Sequence, residues 1–159
     1  MKTFTKRAAL AALIAAVSVL AMSCSTTKDI TVDNAVPQEE SAVVFFPSTI
    51  LVQRFNGEDV SKKWNTRYSV RVRIPAGESK IEFDLYDPGH NIRGRVFRAK
   101  DLTVIYNFEA AKKYTLTFTT QDGKLGIALY DKLLSGPVDK MTGQFPSSTK
   151  PLEFWVIDF

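Results

Sequence analysis

The chain has 159 residues, of which 45% are apolar and 11% aromatic, enough for one domain with a proper hydrophobic core. A single cysteine excludes intrachain disulfides, so packing must hold the fold together. The formal charge of +4 is poor evidence for nucleic acid: Lys2, Lys6 and Arg7 cluster at the N-terminus, and the rest of the chain is nearly balanced against 17 acidic residues.

Residues 1–23 have the three parts of a secretory signal peptide. Lys2, Lys6 and Arg7 form the positive region, Ala8 to Ala21 is an uncharged apolar run, and small residues precede Cys24. The run falls short of the roughly 20 apolar residues that a membrane-spanning helix needs. The segment Leu20-Ala21-Met22-Ser23-Cys24 resembles the lipobox of bacterial lipoproteins, although Ala21 stands where Leu is usual. The resemblance implies lipidation of the Cys24 sulfur, cleavage before it, and a lipid anchor in the cell envelope, at the outer membrane or a periplasm-facing membrane surface. Residues 24–41 then read as a flexible tether, with Ile30 and Val32 able to form a short edge strand.

From residue 42 onward the pattern is that of strands. Ala42 to Phe46 is a continuous apolar run stopped by Pro47, and Ile50 to Phe55 precedes an Asn56-Gly57 turn with Val60 starting a return strand. Trp64 is expected half-buried over a sheet edge. Tyr68, Val70, Val72 and Ile74 alternate with Arg67, Ser69, Arg71 and Arg73, so one face is buried and the other wet. After Pro75-Ala-Gly77, the residues Ile81, Phe83 and Leu85 face inward and Lys80, Glu82, Asp84 and Tyr86 outward. Read as a hairpin, this unit has two registers, one with Arg73 opposite Lys80. The other sets Arg73 opposite Glu82 and Arg71 opposite Asp84, and charge favours it.

Leu102, Val104, Tyr106 and Phe108 form the next inward stripe, followed by a bend at 109–113 and a stripe of Tyr114, Leu116 and Phe118. Gln121-Asp-Gly-Lys124 is a strong hairpin signal that places Phe118 opposite Ile127 and Leu116 opposite Leu129. The expected β-sandwich domain spans 42–132, and 133–159 reads as an irregular tail with a final edge strand at 153–159.

Two stretches carry a further resemblance. Val70-Arg-Val-Arg-Ile-Pro-Ala-Gly-Glu-Ser-Lys-Ile-Glu-Phe83 resembles the strand, Pro-x-Gly turn, strand unit of PEGA-type domains and related small β-sandwich lipoproteins. Asn107-Phe-Glu-Ala-Ala-Lys-Lys-Tyr-Thr-Leu116 is similar to their later entry into a strand, with Ala111 where Gly is often seen. The resemblance implies an all-β, immunoglobulin-like or transthyretin-like antiparallel β-sandwich after an N-terminal signal helix, and it implies no activity.

Chemistry-bearing patterns are sparse. His90 is the sole histidine, in a Pro/Gly loop, and one His cannot supply a usual zinc ligand set. Its neighbour Asp87 comes with no nucleophile motif, and Gly89 and Gly94 lack the spacing of a phosphate-cradling loop. No cofactor, metal or catalytic residue is assigned, and the expectation is a non-enzymatic interaction or structural module. Its partners would be the membrane, through the lipid anchor, and an envelope protein or glycan. An alternative is a ligand-binding lipoprotein with an apolar cavity lined by Phe83, Tyr106 and Phe118. Arg67, Arg71, Arg73, Arg93, Arg95 and Arg98 are candidate contacts for an anion or acidic partner if they converge. The competing reading, which we favour, pairs the sheet-face arginines with Glu82 and Asp84.

Overall fold

The computed structural model describes residues 27–32, 36–64, 69–87, 96–122, 124–133 and 149–157. Residues 1–26, which include Cys24 and the stretch read as a signal peptide, the residues Arg67, His90, Arg93 and Arg95, and most of the C-terminal tail lie outside the described residues.

Among the described residues, ten strands form two sheets. They are β1 (Thr27–Thr31), β2 (Ser41–Phe46), β3 (Ile50–Phe55), β4 (Glu58–Asp59), β5 (Ser69–Pro75), β6 (Gly77–Asp87), β7 (Phe97–Phe108), β8 (Lys113–Gln121), β9 (Lys124–Tyr130) and β10 (Glu153–Val156). A short helix, α1 (Ser61–Trp64), and a 3-10 turn at Gln38–Glu40 interrupt them. One sheet runs in the order β1-β5-β2-β8-β9-β10 and the other β4-β3-β6-β7. Most pairs are antiparallel, but β1–β5 and β2–β8 are parallel, so the larger sheet is mixed rather than purely antiparallel as expected.

The inward stripes of both sheets meet in one core. Val44, Val72, Ile74, Tyr114, Leu116 and Phe118 from the larger sheet pack with Val52, Ile81, Phe83, Leu85, Val104 and Phe108 from the smaller one. Burying a large aliphatic or aromatic side chain of this kind contributes about 1.5–3 kcal/mol, which is how the fold holds without disulfides. Tyr106, Phe108 and Tyr114 lie edge-on to one another, with centroids 5.0–5.8 Å apart.

The β8–β9 hairpin has the expected register, with Phe118 opposite Ile127, Leu116 opposite Leu129 and Gln121 opposite Lys124. The β3–β4 turn has Asn56 and Gly57 both at positive φ (50° and 84°), the signature of a two-residue hairpin loop. The return strand is only two residues long. Val60 does not extend it but starts α1, accepting from the N–H groups of Lys63 and Trp64. Trp64 is buried rather than half-buried, because that turn folds its ring onto Phe46 and Phe55, 5.9 and 5.5 Å away.

The unit around Pro75 is not a hairpin. β5 is flanked on its two edges by β1 and β2, and β6 by β3 and β7. With both edges of each strand occupied, the chain crosses from one sheet to the other through Ala76 and Gly77. Gly77 takes φ 114°, and Ala76 N–H donates to Glu40 C=O at 3.0 Å. Both expected registers are therefore corrected. Arg73 stands opposite Val43 and Thr31, and Arg71 opposite Phe45 and Asp29. Glu82 stands opposite Arg54 and Thr103, and Asp84 opposite Leu51. The face assignment is retained, since Val70, Val72, Ile74, Ile81, Phe83 and Leu85 are all buried.

Two edge strands lie outside residues 42–132. Thr27–Thr31 lies in the sheet as β1, within the segment read as a tether, and Ile30 packs against the core. At the other end, β10 pairs with β9 as an edge strand, so the sheet extends beyond residues 42–132. The centre of the larger sheet is also buried on its outer side. Phe45, Thr115, Thr117, Ala128 and Tyr130 are buried there, and Thr115 Oγ1 donates to Lys132 C=O at 2.8 Å.

Candidate binding surface

A concave surface lies on the outer face of the four-stranded sheet. It is a groove of about 460 Å³ lined by Gln53, Arg54, Asp59, Glu82, Phe83, Asp84, Lys100, Asp101 and Thr103. Strand alternation puts it there. The side chains that interleave with Ile81, Phe83 and Leu85 on β6 must point away from the core, and β3 and β7 bring polar residues beside them.

Hydrogen bonds tie down much of the groove. Asp84 accepts from Gln53 Nε2 at 3.2 Å and from Asp101 N–H at 3.1 Å. The second contact clamps a bulge at which Asp101 adopts φ 55° and the β6–β7 register shifts. Glu82 accepts from Lys80 Nζ at 2.7 Å, and that hydrogen bond holds its carboxyl below the usual glutamate range. The Ser61 hydroxyl and then the Ser61 N–H, both donating to Asp59 Oδ1, do the same for Asp59. At neutral pH these two groups are ionised acceptors rather than proton donors. With Arg54 and Lys100 beside them, the groove offers carboxylate acceptors and exposed cationic donors.

A smaller groove of about 340 Å³, on the larger sheet, is lined by Gln38, Glu39, Ser41, Val43, Ala111, Lys112 and Lys113. There Lys112 donates to Glu109 at 3.0 Å, and that contact raises the Lys112 pKa. Among the described residues, no group of three or more His, Cys, Asp or Glu side chains is placed to hold a metal ion.

Among the described residues, Arg71 and Arg73 do not converge with Arg98. Arg71 and Arg73 lie on β5 in the larger sheet, whereas Arg98 lies on β7 in the smaller one, on that sheet's outward side. Arg98 sits over the Tyr86 ring at 4.8 Å, and Arg71 meets Asp29 rather than Asp84. Strand order is the reason, since β5 and β7 belong to opposite layers. Of the residues expected to line an apolar cavity, Phe83 and Phe118 are fully buried, and Tyr106 packs against Phe108 and Tyr114.

Sequence reasoning identified the outward row Lys80, Glu82 and Asp84 but missed Arg54, Asp59, Lys100 and Asp101 as its neighbours. Asn56-Gly57 was the one signal pointing to Arg54 and Asp59, because that turn folds Asp59 back opposite Arg54. No protein family, curated protein or solved structure matches the chain.

Proposed function

We propose that the chain is a lipid-anchored cell-envelope protein whose β domain is a non-enzymatic interaction module, with the groove on the four-stranded sheet as its contact surface. The anchor reading rests on Ser23-Cys24 behind the apolar run Ala8 to Ala21. The observation that carries the module reading is the groove itself: Asp84 and Glu82 are held by neighbouring donors, and Arg54 and Lys100 flank them. Its partner is a polar, hydrogen-bonding surface of an envelope protein or glycan. The immunoglobulin-like or transthyretin-like type, and kinship with PEGA-type domains, belong to the same proposal. Two sheets packed around one core support them.

Two measurements test it. Cells expressing the chain with labelled palmitate should yield labelled protein, and Cys24→Ser should abolish the label. Undiminished label in that variant would exclude Cys24 as the lipid site. Crosslinking in intact envelopes should then capture a partner with the wild-type chain, and Arg54→Glu with Lys100→Glu should lose it. Capture unaffected by the double substitution would remove the groove from the reading.

A further inference from the structure

The sheets differ in how their edges end. β4 has two residues, β10 four and β1 five, all short, and short edge strands limit pairing with other chains. β7 has twelve residues and, among the described residues, is the last strand of its sheet. Its first half carries Arg98, Lys100 and the bulge at Asp101, which are ordinary edge protections. Its second half, Thr103-Val-Ile-Tyr-Asn-Phe108, has no charge, no proline and no glycine, and it runs in unbroken register against β6. Ile105, at the centre of this half, is 53% exposed.

The direction of the backbone groups follows from β6. Lys80 turns both its groups toward the β3 side: its C=O accepts from Asn56 N–H at 2.9 Å, and its N–H donates to Asn56 Oδ1 at 2.8 Å. Antiparallel strands alternate, so Ser79 and Ile81 face β7, where their opposites are Tyr106 and Val104. Thr103, Ile105 and Asn107 therefore point their N–H and C=O groups away from β6, along the outer edge of the sheet.

We propose that this edge pairs with the same edge of a second copy of the chain, antiparallel, about a twofold axis through Ile105. The segment is self-complementary in that register. Thr103 of one copy meets Asn107 of the other, Ile105 meets Ile105, and Val104 meets Tyr106. Residues that face outward on one strand meet residues that face outward on the other, and about six backbone hydrogen bonds form across the axis. The two Ile105 side chains cover each other, which removes an exposed apolar group from water. The bulge at Asp101 and the turn after Phe108 bound the paired segment, which selects this register over slipped ones. A twofold, isologous contact of this kind is the commonest form of soluble assembly.

The full chain carrying Cys24→Ser keeps the test independent of lipidation. Sedimentation at micromolar concentration should show a dimer, and Ile105→Lys should weaken it by about tenfold or more, because it sets two like charges on the axis. Circular dichroism checks that the variant is folded; if Ile105→Lys does not fold, Thr103→Lys is read instead, with the same expected loss. In the same background Ile105→Cys should form an intermolecular disulfide on mild oxidation, since directly paired residues lie within disulfide reach. Arg98→Cys should not. A monomer at every concentration, a dimer indifferent to both lysine substitutions, or equal crosslinking at both positions would overturn the proposal.

Discussion

Arg71 and Asp29 stand opposite each other across the parallel strands β5 and β1, with Nε 2.8 Å from Oδ1 and Nη2 donating to Oδ2 at 3.1 Å. Both side chains are well exposed, at 38% and 71%. Pairs in such surroundings contribute about 0–1 kcal/mol, because water screens the attraction and ordering two side chains costs entropy. Asp29→Asn should accordingly lower unfolding free energy in urea by less than about 1 kcal/mol. A loss above about 2 kcal/mol would mean that the pair, rather than the backbone ladder and Ile30, holds β1 in the sheet.

Ala111 adopts φ 60° in the bend between β7 and β8, while its N–H donates to Ser41 C=O at 2.8 Å. A side chain in the left-handed region costs about 1–2 kcal/mol, and glycine's extra freedom in the unfolded chain offsets about 0.5–1 of that. Ala111→Gly should thus stabilise the protein by about 0.5–1 kcal/mol. Thermal unfolding would check it, and a lower midpoint would contradict the strain argument.

Gly126 on β9 stands opposite Val156 on β10. A Cβ there would run into the backbone oxygen of Trp155 and the ring of Phe154. Backbone cannot swing aside as a side-chain tip can, so Gly126→Ala should cost about 1–3 kcal/mol by overpacking. The loss should be local. Hydrogen exchange should quicken at Leu152, which donates to Leu129 C=O at 2.7 Å, and at Ile157, which donates to Leu125 C=O at 3.0 Å. Unchanged exchange at both amides would show that β10 tolerates the methyl group.

The Tyr106 phenol is raised above its ordinary pKa, chiefly by burial, with Tyr114 and Glu109 adding to it. Burial likewise raises Tyr130. Because the folded values lie above the unfolded value of about 10, folding favours the neutral phenols. Their contribution is complete below about pH 10 and is lost as pH rises through the folded values. Unfolding free energy should therefore decline above about pH 10, and Tyr106→Phe should make the decline shallower. An equally steep decline in that variant would assign the effect elsewhere.

Period-two alternation alone settled which face of these strands meets the core. Val70, Val72 and Ile74 on β5, Ile81, Phe83 and Leu85 on β6, and Tyr114, Leu116 and Phe118 on β8 are buried as their spacing requires. The β8–β9 register was legible too, because only two residues separate Gln121 from Lys124 in the sequence, and a loop that short dictates which residues meet. Tertiary structure decided the partners wherever the connection was not such a turn. Pro75-Ala-Gly77 joins two amphipathic strands whose apolar faces are satisfied equally well by lying side by side in one sheet or face to face across the core. The choice went to the second arrangement because β1 and β2 take the edges of β5 while β3 and β7 take those of β6. That choice sent Arg71 to Asp29, separated the β5 arginines from Arg98, and assembled the polar groove from strands distant in sequence. A strand's own residues specify its inward face through local geometry, whereas its neighbours are set by competition among all the edges in the molecule.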